Sequence, residues 1–547
     1  MSTPRSHMMG PPSAAVPRTY GNWRKPASPG LPRLGLLGSA AALLALVLVM
    51  FVQISAGLLS AGVVALLFAG TLAPLAWRNR SGRNGWQVAV AKLAWRLGRR
   101  RRQHLYSTSL TGPVSFGSAR LPGLLANSEL LRAVTAHGEE FALIHLPSTR
   151  HYAVMIRCDP EGSQLVDVET VDEWVACWGA WLAKLGHEAN LDACTVTVET
   201  APDPGSRLAA EVDGMLTDDA PALSVAMLTE AAANYPHGSA AVTAYVTLTF
   251  SARRTAHTET EGVLVRGAAG RRTASDPKPT SAARAPQEMA AQIGRRLPLL
   301  LHQLRSVGAG TGAAMTAAEV AETVRVAYDP AAAALLDRAR AQQARNIAQS
   351  DCRPAELVDW HDAGPVAQVE AWDHLRHDSG ASITWQMVDV PHGAVQSRVL
   401  EQLLEADDNL ARKRVTLIYR PHDPASAARV ADADVRTAIG RATARAGEGR
   451  ASESLALASA RQSAAEQATG AGLVRFSMLV TATVMNTADL PARLAQAAEV
   501  IDQLGPACQL RLRRCYFSQA AAFTAALGVG IVLPAHVAVP DVIRDNL

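Results

Sequence analysis

The chain has 547 residues, 48% hydrophobic and 19% charged, with a net charge of +4. That length is too great for one compact core and suggests about three domains at ~150 residues each. The composition excludes a disordered chain, and the small net charge argues against a bulk electrostatic nucleic-acid binder. Charge is unevenly spread, because no Asp or Glu precedes Glu129 while Arg and Lys are plentiful there. Six cysteines are scattered without a Cys-x-x-Cys pair, which excludes a zinc ribbon and suits a reducing compartment.

Residues 34–77 carry no charge. A helix needs ~20 apolar residues to cross a bilayer, so this run predicts a transmembrane hairpin. Its helices run from about Leu34 to Val52 and from Leu58 to Trp77, with a turn at Gln53 to Gly57. A signal peptide fits poorly, since the run follows a 33-residue polar leader and leads into a second span. Arg5, Arg18, Arg24, Lys25 and Arg33 precede the hairpin; Arg78, Arg80, Arg83 and the run Arg99, Arg100, Arg101 and Arg102 follow it. Positive flanks stay inside, so both termini are expected in the cytoplasm of a multi-pass inner-membrane protein. From Gly85 to Leu97 a helix is expected, with Trp86, Val90, Leu93 and Leu97 on one face. Trp86 and the four arginines are candidate membrane-surface residues. A solvated helix or a nucleic-acid patch are the alternatives at this point.

Further along, residues 140–146 and 151–158 read as two strands joined at hairpin length. A helix at 171–186 carries Trp174, Trp178 and Trp181 on one core-facing stripe. Strands are expected at 193–200 and 240–250, around a helical stretch at 208–233. Arg253 to Pro286, rich in Arg, Thr, Ser, Ala and Pro, reads as a linker. Helices follow at 287–304 and 316–328. A second block has strands at 383–388, 414–420, 473–484 and 509–516, a long helical stretch at 424–468 and a helix at 490–504. The predicted fold is an N-terminal transmembrane α-helical hairpin followed by α/β, sandwich-like cytoplasmic domains. The expected divisions are a basic tail 1–33, hairpin 34–77, connector 78–137, α/β domain 138–252, linker 253–286, helical segment 287–350 and α/β domain 351–547. The order β-α-β recurs in both blocks, with no residue-level repeat evident.

No motif announces chemistry. Gly112–Ser118 and Gly308–Gly312 lack the lysine that a phosphate-binding loop needs, so the second reads as a loop between helices. Neither Gly-x-Ser-x-Gly nor His-Glu-x-x-His occurs. The richest polar cluster contains Asp359, His361, Asp362, Glu370, Asp373, His374, His377 and Asp378. His374 and His377 on one helix face could join a carboxylate at a metal, but a solvated helix face is the plainer reading. No catalytic, metal or cofactor residue is assigned.

The segment Arg18-Thr19-Tyr20-Gly21-Asn22-Trp23-Arg24-Lys25-Pro26 resembles the opening of an actinobacterial family of integral membrane proteins from conjugative or type IV secretion-like gene clusters. Arg120–Leu125, Thr149–Tyr152, Trp178–Leu182, Val198–Gly205, Arg376–Gly380 and Arg412–Leu417 carry the same resemblance. The hairpin is similar to the small PrgI-type subunit, and the rest to the non-motor part of VirB/TraC-type conjugation ATPases. The resemblance implies a structural, non-enzymatic subunit that anchors and docks a separate ATPase. The implied partners are membrane lipids, a VirB/TraC-type ATPase, other secretion subunits and further copies of the chain, with no sequence-specific nucleic-acid binding. A type VII component of the EccE kind and a membrane-bound enzyme using the Asp359–Asp378 cluster are the alternatives. Docking is expected near the C-terminus, with Phe523, Leu527 and Ile531 as candidate contacts; the plainer reading is that they complete the last α/β block.

Overall fold

The computed structural model describes residues 35–76, 83–108, 119–160, 166–203, 205–217, 219–234, 240–252, 285–349, 355–391, 393–443 and 451–537, with the isolated residues 18, 20, 21, 23 and 162. Most of the expected linker and the Gly112–Ser118 string lie outside them.

Two helices fill the apolar run, α1 (Gly35–Ala56) and α2 (Leu58–Ala76), joined at Gly57, whose φ of 85° makes the turn. Ala45 and Ala61 are buried in this pair, while Leu43, Phe51, Leu59 and Leu66 are exposed. The expected transmembrane hairpin is nevertheless overturned: among the described residues no helix is long and apolar enough to cross a membrane. Helix α2, 19 residues with Pro74 inside it, rises roughly 28 Å at ~1.5 Å per residue, short of a ~30 Å hydrocarbon core. The multi-pass inner-membrane assignment, with its inside–inside topology, goes with it. Helix α3 (Gly85–Arg100) follows, opened by a capping box between Asn84 and Gln87.

The body is one antiparallel sheet, not two separate sandwiches. Its first half contains β2 (Glu129–Val134), β3 (Glu140–Leu146), β4 (His151–Asp159), α4 (Val168–Leu185), β5 (Leu191–Pro202), α5 (Ser206–Met215), α6 (Ala222–Asn234), β6 (Ala240–Ser251), α7 (Pro286–Leu304), β7 (Thr311–Ala314) and α8 (Ala317–Tyr328). Helix α9 (Ala332–Gln349) leads to the second half. That half contains β8 (Ala367–Glu370), β9 (Leu375–His377), β10 (Gly380–Asp389), α10 (Glu401–Leu404), β11 (Arg412–Pro421), α11 (Pro424–Thr443), α12 (Ala451–Ala468), β12 (Val474–Met485), α13 (Leu490–Ala507), β13 (Arg511–Arg514) and α14 (Gln519–Ala526). A short β1 (Leu105–Ser107) joins the edge beside β8. The strand order is β1-β8-β9-β10-β12-β11-β5-β6-β4-β3-β2, with β13 on β10 and β7 on β4.

This order is an internal duplication. Strands β2 to β7 in the first half correspond one by one to β8 to β13 in the second. Register extends the match to residues: Val246-Thr247-Leu248-Thr249 aligns with Val480-Thr481-Ala482-Thr483, and Val196-Thr197-Val198 with Val415-Thr416-Leu417. Even single bonds repeat, since Met315 N donates to Met155 O and Cys515 N to the equivalent Thr384 O, both at 2.9 Å. The halves meet where β5 pairs β11, and Thr197 sits directly opposite its own equivalent, Thr416. A local two-fold axis therefore passes between these threonines, whose hydroxyls are 3.4 Å apart. The residue-level repeat that is not evident in the sequence is present, but it resides in short β-branched strings too degenerate to register without the pairing.

Successive strand residues point to opposite faces. On one face Trp181, Leu185, Leu297 and Leu300 pack over Val154, Val246 and Leu248. In the second half Ile501 and Leu403 pack on that same side over Val480 and Ile383. The other face is rich in threonine and is covered at the axis by the C-terminal segment. There Thr416 Oγ1 donates to Ala526 O at 2.8 Å, and Thr247 Oγ1 to Gly528 O at 2.5 Å. A Cβ on Gly530, which has φ 85°, would lie 2.2 Å from Ala153 Cβ, so the strap touches the sheet as only glycine allows. Gln519 is fully buried; its side chain accepts from Thr384 N at 2.8 Å and donates to Thr384 O at 3.3 Å, replacing a strand neighbour.

Candidate functional site

The polar residues between Asp359 and Asp378 do not share a helix face. They lie on a 3-10 turn, on β8 and β9, and in the tight turn to β10. Asp359 caps that turn through the His361 amide at 3.0 Å. Asp362 accepts from Ala119 N at 3.2 Å. Asp378, at φ 34°, accepts from Val366 N and Ala367 N and pairs with Arg325 at 3.0 Å. Asp373 lies against His374 and Arg514. Glu370 accepts from Ala520 N at 3.0 Å, and burial raises its pKa. Asp359, Asp362, Asp378 and Glu370 each accept a backbone amide, and Asp373 is ion-paired. Among the described residues no group of three His, Cys, Asp or Glu side chains is placed to hold a metal.

His377 points the other way from this surface. It is buried, with Nδ1 2.5 Å from Tyr328 O and Nε2 2.7 Å from Ser382 Oγ. A carbonyl can only accept, so Nδ1 carries the proton and Nε2 accepts from Ser382. Ser382 Oγ in turn meets Thr483 Oγ1 at 2.7 Å. Desolvation pushes the imidazole pKa down to about 4, so it is neutral. A serine on a neutral histidine is the beginning of a nucleophilic pair. Here both groups are walled in by Tyr328 and Phe523, with no exposed face to meet a substrate.

A second buried network lies at the junction of the halves. Glu199 on β5 receives both Arg414 and Arg412 from β11, with Arg414 Nε at 2.7 Å. Burial alone would raise the Glu199 pKa, but the two guanidiniums overcome it and hold the carboxyl below its usual range. Arg414 also stacks over the Phe523 ring at 5.8 Å. Two thiols are equally enclosed: burial pushes Cys158 up to about 11 and Cys515 up to about 12, which leaves both as unreactive thiols.

The expected docking residues Phe523, Leu527 and Ile531 are buried in the core that covers the threonine face. They hold the halves together and offer no surface, because the segment is drawn inward by the Thr247 and Thr416 hydrogen bonds. Trp86 and Arg99, Arg100, Arg101 and Arg102 are all exposed. Exposed apolar side chains concentrate outside the sheet: on α1 and α2, on the outer side of α3, and at the tip of α5 and α6, where Met215, Leu223, Met227 and Leu228 stand in the open. That last patch was not legible in the sequence, because Leu208 to Ala233 reads as one helix, whereas the structure has two, α5 ending at Met215 and α6 beginning at Ala222.

Tyr20, in the string that carries the family resemblance, fastens the N-terminal segment to the body. Its backbone bridges Val395 in the second half, and its hydroxyl reaches Asp172 Oδ1 on α4 at 3.0 Å. One family profile matches the chain, over residues 27–87, and is described as a domain of unknown function (DUF8461). It covers the apolar pair and the first turn of α3, and assigns no activity. No curated protein matches the sequence.

Proposed function

We propose that the protein is a structural docking subunit of a bacterial secretion or conjugation-like machine, holding a separate ATPase. The observation that carries this reading is the division of the surface. The Ser382–His377 pair and the Glu199–Arg414 network are buried, while large apolar side chains stand exposed on helices outside the sheet. Exposed apolar patches of this kind mark interaction surfaces. The tip of α5 and α6 is the part of that surface we assign to the ATPase, in place of the buried C-terminal residues.

The test is capture of the ATPase encoded in the same gene cluster by the purified full-length chain. Wild type is expected to retain it. The Leu223→Gln/Met227→Gln/Leu228→Gln variant should lose at least tenfold in affinity with an unchanged circular dichroism spectrum, because these side chains make no core contact. Absence of any complex with the wild-type chain would overturn the reading. Capture that survives the triple variant would move the docking surface elsewhere.

A further inference from the structure

Helix α3 is amphipathic in an inverted sense. Ala91 is buried and Trp95 packs against His104 and Trp372, at 6.3 and 5.9 Å between ring centroids. Those residues fix which side meets the body. Trp86, Val90, Leu93 and Leu97 recur at spacings of four, three and four on the opposite side, and all four are exposed. A surface helix of a globular protein turns its apolar stripe inward; this helix carries a second stripe outward. Trp86 stands on the α2 side of this stripe, where its indole Nε1 donates to Thr71 O at 2.8 Å.

The charges on this helix and on the run that ends it have one sign. Lys92, Arg96 and Arg99 to Arg102 are exposed along and beyond the helix, and no acidic residue precedes Glu129. Arg83, just before the cap, lies beside Arg513 of β13, whose pKa is lowered by burial and by the Arg83 and Arg511 cations. Between α2 and α3 lies an open, apolar cleft of about 560 Å³, lined by Gly70, Ala73, Pro74, Gly85, Trp86 and Ala89.

We propose that the outer face of α3, with the arginine run that ends it, docks on an anionic lipid surface. The helix would lie in the headgroup plane, its Trp86–Leu97 stripe toward the acyl boundary and its arginines on the phosphates, with no crossing of the bilayer. An apolar stripe flanked by cations of one sign matches that partner on both counts. Nucleic acid would account for the arginines but leave Val90, Leu93 and Leu97 unexplained. The inference is independent of the ATPase-docking reading, since it concerns a different surface and a different partner.

Flotation of the full-length chain with phosphatidylcholine vesicles, and with vesicles that also contain phosphatidylglycerol, tests it. Binding should depend on phosphatidylglycerol and weaken with salt. Arg99→Gln/Arg100→Gln/Arg101→Gln/Arg102→Gln should weaken it by roughly fivefold per arginine removed. Leu93→Gln/Leu97→Gln should weaken it with all charges retained; because those side chains are exposed, its circular dichroism should match wild type. Three results would overturn the proposal: no binding to either vesicle, equal binding to both that the arginine variant leaves unchanged, or arginine-dependent binding of nucleic acid without binding of vesicles.

Discussion

At the scale of single residues, the molecule encloses charge where it needs rigidity. Glu199 faces two arginines at the seam of the halves, and removing one partner from a buried ion pair leaves the others unmatched. Glu199→Gln should therefore cost ~3–5 kcal/mol in urea denaturation. The depressed carboxyl pKa sets the direction of its pH dependence. This contribution is present above the unfolded carboxylate range and is lost as pH falls through the folded value. His377 acts in the same direction by the opposite route. Its folded pKa of about 4 lies below the ordinary 6.5, so the unfolded chain binds the extra proton first. Stability from the neutral ring is complete above pH 6.5 and declines as pH falls toward about 4, by up to ~3 kcal/mol. His377→Asn keeps polar atoms at the site but cannot titrate. It should flatten the slope of unfolding free energy against pH in that window, and an unchanged slope would refute this account.

At the scale of elements, long periodic segments were legible and short ones were not. The strands at 140–146 and 151–158 and the helix at 287–304 are found within about a residue of their expected bounds. Each is long enough for its period to exceed its noise. Strands β8 and β9 were invisible because three or four residues rich in charge carry no alternation, and their charges serve the turns around them. Gly308–Gly312 read as a loop, yet Gly312 lies in β7 against Cys158. Of the candidate site residues, exposure of Trp86 and the arginine run followed from composition. Burial of Phe523 did not, because a small apolar helix reads alike whether it docks on its own sheet or on a partner. The strap that follows it gives two sharp expectations. Phe523→Ala should cost ~3–5 kcal/mol of stability, read by thermal or urea unfolding. Gly530→Ala should destabilise through the clash with Ala153 and the strained φ, although it removes no contact; a neutral result would mean that the strap lies farther from the sheet.

At the scale of the whole molecule, the halves are joined by the β5–β11 ladder and by a strap from the second half that lies on the first. Unfolding should be a single transition whose midpoint is the same by near-ultraviolet dichroism and by tryptophan fluorescence. Both ends of the 253–284 segment enter the first half, at β6 and α7. A protease site placed at residue 268 should therefore yield a cut protein that still elutes as one particle; separation of the pieces would show that the β4–β7 and β5–β11 pairings that bridge the cut hold more weakly than their registers imply. The strap also has a consequence for synthesis. Gly528 and Gly530 seal threonines and alanines that a ribosome delivers hundreds of residues earlier. Until those last residues emerge, the first half must wait with one face of its sheet uncovered. The nascent chain thus carries its greatest aggregation hazard during elongation of the second half, so folding helpers that shield open sheet faces would matter most in that interval.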